Sequence, residues 1–364
     1  MDAVAAALIA APDIFSDDST RARRALAGVI PGLERAGVRA VATLDRAMRD
    51  TVWHRRLSID FAALPEARVA SLAGLDPEGW ALGLASTVRD GYVREAAVRA
   101  LGERWTLTAS RFLILRANDP VIQISTWAAV ALEARLNAEN LDLWARCLPL
   151  LQSARSQVRA SEAAVLERAA AALRAEPGHG ALRQALGELD PLVRRGASEV
   201  LVDALAGTRA VLEPLSVALA AVDPQLRRWG ARAVATVAIT PPEIVAILRP
   251  RLAADGDSGV RALATQLAAR AGDVDALRVA AFDVNADVRF RARQYLIGAG
   301  VELDTRVEAL ERLEGADRKG CIAALATLSD TGVTADLPSV TPFLVDPRAS
   351  VAREAARTVE ILNR

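Results

Sequence analysis

The sequence is poor in the side chains that build metal centres and nucleophilic active sites. Its 364 residues include two histidines, His54 and His179, and two cysteines, Cys147 and Cys321. None of the four lies at a short metal-binding spacing from another. The patterns G-x-x-x-x-G-K-[ST] and G-x-S-x-G are also missing. We therefore expect no metal, no other cofactor and no identifiable catalytic residue. The balance is against an enzyme, although an active site built from carboxylates and arginines stays an alternative.

Long apolar runs are missing as well. No stretch reaches the roughly 18 apolar residues of a transmembrane helix. The short run from Ala3 to Ala11 follows no basic segment, so we expect neither membrane insertion nor a signal peptide. Two isolated cysteines do not form a disulfide framework, which favours the cytoplasm. Basic and acidic residues number 45 each, so no net charge attracts nucleic acid or membranes.

Alanine, leucine and arginine are abundant, whereas aromatic residues make up 4% of the chain. This composition favours closely packed helices over strands. Of the 45 basic residues only Lys319 is a lysine, which is typical of arginine-rich codon usage in a high-GC, bacterial genome. The fold class predicted from composition is all-α.

One phrase recurs along the chain. The phrase begins with an Asp or Asn, and later positions are given as offsets from that residue. Offset +3 is aliphatic, +4 is arginine, +7 is a small residue and +11 is again aliphatic. In one copy Gln123 replaces the arginine, and the last copy is looser. The copies begin at Asp90, Asp119, Asp190, Asp223, Asp257, Asn285 and Asp346. Such a fixed phrase at a regular period indicates a repeat protein.

The spacing of the copies indicates how many units there are. Most starts lie 28 to 34 residues apart, and two gaps of 71 and 61 residues fit double periods. A degenerate copy is expected in each, near Gln157 to Leu166 and near Gly320 to Leu328. We therefore expect about nine units between residue 76 and the C-terminus.

The offsets have a physical explanation. Asp and Asn cap helices by accepting hydrogen bonds from first-turn amides, and proline is tolerated directly after the cap. At 100° per residue, offsets +3, +7 and +11 form one apolar stripe with a small residue at its centre. A second amphipathic stretch precedes each phrase, so each unit is predicted to be a helix pair. These stretches are Ala181–Leu189, Val211–Val222, Ile244–Leu252 and Arg306–Leu313.

The phrase Asp-Pro-x-Val-Arg-x-x-Ala-x-x-x-Leu resembles the second helix of HEAT repeats, especially short bacterial units similar to those of phycobilisome-lyase-like proteins. The resemblance implies a right-handed α-solenoid over residues 76–364. Residues 1–75 do not keep the phrase and are interpreted as an N-terminal helical cap of the same solenoid. There, Asp17, Asp18 and Asp45 are the expected helix caps, and prolines such as Pro12 and Pro31 are expected to separate short helices.

The arginine at offset +4 lies beside the apolar stripe. It is present as Arg94, Arg194, Arg227, Arg261 and Arg289. The HEAT resemblance implies a ladder in which each guanidinium reaches a carboxylate or carbonyl of the adjacent unit. A role in ligand binding is the alternative.

Offsets +5 and +9 face away from the core, and in HEAT-like solenoids the second helices line the concave surface. Offset +6 lies at the margin of the apolar stripe. Exposed aromatic and arginine side chains together are typical of interfaces. The predicted partner-binding residues are Arg195, Arg228, Trp229, Arg232, Phe290, Arg291 and Gln294. The other tryptophans, including Trp105 and Trp127, are expected to lie in the core or to pack between helices.

The predicted function is a protein–protein interaction scaffold or adaptor that binds a protein partner on this surface. The chief alternative is a nucleic-acid-binding or DNA-repair protein resembling HEAT-like alkylpurine DNA glycosylases, which the balanced charge does not favour. A bilin lyase or chaperone, implied by the phycobilisome-lyase resemblance alone, ranks last. A basic segment at residues 19–56 and an acidic one at 302–336 are either anion-binding or pairing regions, or solvated helix faces. The oligomeric state is left open.

Overall fold

The computed structural model describes residues 2–49, 66–155 and 163–364, and every regular element in these ranges is a helix. The fold is all-α, as predicted. Contacts between helices divide the chain into two compact units, Met1–Ala204 and Leu205–Arg364, called unit 1 and unit 2 below. The boundary expected near residue 75 stays a prediction.

Unit 1 contains twelve α-helices in its described residues. They are α1 (Ala3–Ile14), α2 (Ser19–Arg49), α3 (Glu66–Leu72), α4 (Trp80–Ala85), α5 (Gly91–Gly102), α6 (Leu107–Arg116), α7 (Ile122–Ala134), α8 (Leu141–Arg146), α9 (Leu148–Arg155), α10 (Ala163–Arg174), α11 (Glu176–Ala185) and α12 (Pro191–Ala204). The degenerate copy expected at Gln157–Arg159 lies outside the described residues, as do Trp53 and His54.

Unit 2 contains ten α-helices and three short 3-10 turns. The helices are α13 (Leu212–Ala220), α14 (Pro224–Ala235), α15 (Pro242–Ala253), α16 (Ser258–Arg270), α17 (Val274–Ala280), α18 (Ala286–Gly298), α19 (Thr305–Leu313), α20 (Arg318–Thr331), α21 (Leu337–Val340) and α22 (Ala349–Leu362). Helix α14 packs on α16, α16 on α18, and α20 on α22. Helices stacked on their neighbours in this way form an α-solenoid.

Five of the seven copies of the phrase begin a helix at their first residue, whereas the helices after Asp119 and Asp346 are capped two residues later, at Val121 and Arg348. Asp90, Asp223, Asp257 and Asn285 are the N-caps of α5, α14, α16 and α18, and each side chain accepts from first-turn amides. Asp190 does the same for α12, with a bond of 2.9 Å from the Leu192 amide. The prediction that the phrase marks helix starts is confirmed at these positions.

The degenerate copy expected near Gly320 is also a helix. Asp317 caps α20 through the Gly320 amide, at 2.7 Å. Ala324 and Leu328 are buried, as the +7 and +11 positions of the phrase require. This copy keeps the cap and the buried residues at +7 and +11, whereas Gly320 replaces the aliphatic residue at +3 and Cys321 replaces the arginine at +4.

The upstream helices are predicted with uneven accuracy. Helices α13, α15 and α19 match their predicted ranges within a few residues, whereas α11 starts at Glu176 and not at Ala181. Gly178 therefore lies inside a helix. A Cβ atom there would come within 2.5 Å of the Leu173 carbonyl oxygen, so glycine permits a close backbone approach to the end of α10.

Residues 2–49 differ from the expected series of short helices. Asp18 caps α2 as predicted, accepting from the Thr20 and Arg21 amides. However, Pro12 and Pro31 lie within α1 and α2, and the helical path of α2 is interrupted only at Gly37, whose φ is +59°. Asp45 lies in the interior of α2 and binds Arg116, so it is not a cap.

The copy at Asp119 has a different register from the predicted one. The N-cap of α7 is Val121, so the buried +3, +7 and +11 residues are Ile124, Ala128 and Leu132. Ile122, predicted to be buried, is 64% exposed. The predicted register was wrong by two residues, because the cap is Val121 and Asp119 lies two positions before it.

The +4 arginines share one local geometry. In each, Nη1 donates to the carbonyl oxygens of the two residues that precede its own phrase, at 2.6 to 3.1 Å. The arginines are Arg94, Arg194, Arg227, Arg261 and Arg289. Each side chain thus pairs loop carbonyls that the following helix does not satisfy.

Four of these arginines also reach a carboxylate of the next helix pair. Three of the partners lie two residues before the next helix cap, and the fourth is near the end of α20. The pairs are Arg94–Asp119 at 3.1 Å, Arg227–Asp255 at 3.0 Å, Arg261–Asp283 at 2.6 Å and Arg289–Asp330 at 2.7 Å. The predicted inter-repeat ladder is confirmed at these four positions.

The aspartate two residues before a cap has a second role. Its Oδ1 atom accepts from the backbone amide of the residue that caps the next helix. These bonds are Val121 to Asp119 at 3.1 Å, Asp257 to Asp255 at 2.7 Å and Asn285 to Asp283 at 2.7 Å. A single charged pair of the ladder therefore holds the loop before one phrase helix and the first turn of the next phrase helix.

Candidate partner-binding surfaces

The predicted partner-binding residues fall into three groups. Three lie on α14, three lie on α18, and Arg195 lies on α12 in unit 1. Helix α16 packs between α14 and α18, so the two groups of unit 2 are not directly adjacent. Each group is described by itself.

On α14, Arg228 and Arg232 point to solvent and Trp229 is half-buried. Arg228 donates from Nε and Nη2 to Asp257 Oδ2, at 2.9 and 2.6 Å. This hydrogen bond holds the pKa of Asp257 below its usual range. Arg232 is exposed and forms no ion pair within the described residues, so its charge is available to an acidic partner.

On α18, Phe290 is 61% exposed and Gln294 is exposed. Arg291 pairs with Asp287 one turn earlier, at 2.9 Å. Ile297, which the sequence reasoning missed, is 67% exposed. Because residues four and seven apart lie on one helix face, Phe290, Gln294 and Ile297 form one exposed stripe, called the α18 stripe below.

On α12, Arg195 is half-exposed and pairs with Glu199 on the same helix, at 2.9 Å. Pairs of this kind on a helix surface contribute about 0.3 to 0.5 kcal/mol. Arg195 therefore has an ion-pair partner on its own helix, and no aromatic ring contact of its guanidinium is present among the described residues.

Unit 1 also exposes tryptophans that were expected to pack between helices. Trp127 on α7 is 43% exposed, and the Arg99 guanidinium lies 4.6 Å from its ring centre. Trp105 is more exposed still, with Arg135 at 5.0 Å. The prediction for these two residues was wrong.

A cavity of about 410 Å³ lies in unit 2, lined by residues of α15, α16, α17, α18 and α20. Most of its wall is made of alanine and valine methyl groups, with the Phe282 ring. The Arg312 guanidinium lies over that ring, at 3.6 Å from its centre. Lys319 lies at the rim of the cavity, on the first turn of α20. This cavity could not be predicted from the sequence, because its wall comes from five helices.

Reactive groups do not converge in the part of the chain that the structure describes. No cluster of three His, Cys, Asp or Glu side chains with metal-binding geometry is present there. Burial raises the pKa of the Cys147 thiol to about 11, so this thiol is protonated at neutral pH. Within residues 2–49, 66–155 and 163–364, no helix combines the length and apolar character of a membrane span.

Comparisons with known proteins leave the family open. No protein-family model matches the chain, and no curated protein matches it significantly. Among solved structures, an engineered protein aligns with 17% identity over 99% of both chains, with a TM-score of 0.24. A tumor overexpressed gene (TOG) domain array, from a study of tubulin recruitment by microtubule polymerases, aligns with 9% identity over 97% of this chain and 85% of its own, also with a TM-score of 0.24. Similarities at this level carry no functional information.

Proposed function

We propose that this chain is a protein-interaction scaffold that binds a protein partner through exposed residues of α14 and α18. The observation that supports this function is the α18 stripe, in which Phe290 and Ile297 are both more than half exposed beside charged side chains. Aromatic side chains next to arginines are enriched at protein interfaces and in their energetic hot spots.

Burying the α18 stripe would contribute part of the free energy of binding a partner. Fully burying a Phe or Ile side chain contributes about 1.5 to 3 kcal/mol each. Arg232 adds a charge that no carboxylate within the described residues neutralises. The partner is therefore expected to offer an apolar pocket for Phe290 and a carboxylate for Arg232.

The test is affinity capture from the organism's own lysate with mass spectrometry, comparing the full chain with Phe290→Ala, Arg232→Glu and the double variant. Arg278→Glu is the matched control, because Arg278 is also exposed and unpaired among the described residues, but lies on α17. Arg228→Glu is avoided, since it would place two carboxylates at the cap of α16.

We expect one protein partner to be retained by the wild type and the control, and to be lost by the double variant at unchanged melting temperature. Equal capture by all variants would contradict this choice of surface. Recovery of nucleic acid alone, with strong salt dependence, would favour the DNA-repair alternative.

The finer architectural assignments belong to the same proposal. A HEAT-type repeat is supported by the capped second helices and by the arginine ladder. The right-handed sense of the solenoid, the cap at residues 1–75, the role of Arg195 and a cytoplasmic location stay predictions.

A further inference from the structure

We propose that the cavity of unit 2 binds an amphiphilic small molecule that has an apolar chain and one anionic headgroup, such as a medium-chain carboxylate. This site is separate from the α14 and α18 surface and goes beyond the scaffold function. The proposal combines the size of the cavity, the chemistry of its wall and the charge at its rim.

The size of the cavity suits a small ligand. Its volume is about 410 Å³, within the range of roughly 300 to 1,000 Å³ typical of small-molecule sites. The wall includes Ala264 and Ala268 of α16, Val279 of α17, and Val288 of α18. Short side chains from neighbouring helices leave this space between them.

The wall favours a hydrocarbon chain over a peptide. Its main polar groups already have partners: Arg261 pairs with Asp283, and the Thr265 hydroxyl donates to the Arg261 carbonyl at 3.0 Å. Arg249 pairs with Asp273 at the start of α17. A peptide would bring backbone N–H and C=O groups that need partners when they lose water, whereas an alkyl chain brings none.

The rim supplies one uncompensated positive charge. Lys319 is exposed and has no ion-pair partner in the described part of the chain. It lies on the first turn of α20, where Asp317 already caps the helix N-terminus, so the attraction for an anion comes from the ammonium group itself. An anionic headgroup at this end of the cavity would therefore be attracted, and a cationic one repelled.

Isothermal titration of the full chain with decanoate tests the proposal, beside decanol and decyltrimethylammonium as probes of equal chain length. We expect decanoate to bind more tightly than decanol and the cation to bind most weakly. Since Lys319 is exposed to water, Lys319→Gln is expected to weaken decanoate binding roughly two- to fivefold. Lys319→Arg should preserve it, and added salt should weaken it.

A cavity-filling variant supplies the second arm. Ala323→Phe places a ring in the cavity from α20 and is expected to abolish decanoate binding. Ala356→Phe, at an exposed position of α22 outside the cavity, is the matched control for folding and is expected to bind normally.

Three results would overturn the proposal. These are no decanoate binding by the wild type, equal binding by Ala323→Phe, or decanol binding as tightly as decanoate with no effect of Lys319→Gln. If Ala323→Phe instead removed a captured protein or a self-association of the chain, without any decanoate binding, the occupant would be a polypeptide. The capture experiment with Phe290→Ala is independent of all three results.

Discussion

Replacing Asp283 by alanine is expected to destabilise unit 2 by about 3 kcal/mol, because it leaves the Arg261 guanidinium buried without a counter-charge. The two side chains are joined by bonds of 2.6 and 2.7 Å and are only 9% and 12% exposed. Breaking a buried pair by removing one partner costs about 3 to 5 kcal/mol, and the remaining exposure places this pair near the lower end.

The magnitude includes a second loss. Asp283 also accepts from the Asn285 amide at 2.7 Å, so alanine leaves an amide at the start of α18 unpaired. Asp283→Asn keeps an acceptor for that amide but removes the negative charge, and we expect about half of the destabilisation. The double replacement Arg261→Met with Asp283→Leu removes both charges and is expected to cost less than Asp283→Ala alone.

The measurement is urea unfolding followed by far-UV circular dichroism, with the unfolding of unit 2 fitted as its own transition when two are resolved. Arg291→Ala is the control, since it removes an exposed ion pair on α18, and is expected to cost less than about 0.5 kcal/mol. If Asp283→Ala were as stable as this control, the arginine ladder would not hold adjacent helix pairs together, and the reasoning would fail.

Three further predictions concern local environments. Cys147, whose pKa is raised by burial to about 11, should resist iodoacetamide at pH 8 in the native protein and react in urea; alkylation without unfolding would refute this burial. Gly37→Ala should lower the melting temperature, because φ is +59° and the new Cβ would lie 2.1 Å from the carboxylate that caps α12; an unchanged melting temperature would refute the tight contact. The hydrogen bond from Arg306 lowers the pKa of Asp336 below its unfolded value of about 3.9. The ionised Asp336 carboxylate therefore stabilises the fold above that pH, and this contribution is lost as the pH falls through the folded pKa. Asp336→Asn should therefore make stability less dependent on pH in this acid range, and an unchanged acid limb would contradict the assignment.

Helix starts were predictable because capping chemistry is local. An Asp or Asn followed by an amphipathic stretch decides the first turn with little help from the rest of the chain. The copy at Asp119 failed for a related reason. Asp119-Pro120 resembles a helix cap, but Asp119 is the ladder aspartate two residues before the cap Val121. Its contacts with Arg94 and with the Val121 amide identify this role.

A signal for that second role was present in the sequence. Asp255 and Asp283 each precede a capping Asp257 or Asn285 by two residues, which gives the pattern Asp-x-[Asp/Asn] before the helix. The position two residues before Asp223 is Ala221, so the pattern offers Arg194 no carboxylate there. Two of the four ladder pairs, those of Asp255 and Asp283, could therefore have been read from this spacing, whereas Asp119 precedes the cap Val121 and Asp330 lies near the end of α20.

Exposed binding candidates were less predictable. Helical angles show which way a side chain points, but not whether a neighbouring helix covers it. Phe290 was placed correctly at an outward offset, whereas Ile297 was missed because it lies at offset +12, beyond the phrase. The cavity was missed entirely, since the separation between five helices depends on side-chain volumes across the whole stack.

Charge pairing separates structural basic residues from those available to other molecules. In the ladder, most +4 arginines pair with buried or half-buried aspartates. Each pair holds one helix against the helix pair that precedes it. Arg232 and Lys319 have no such partner among the described residues, and each lies at a different candidate site. A hydrated charge beside apolar surface gains a partner when an anion binds. We therefore expect these two residues to give the two proposed sites a preference for acidic ligands.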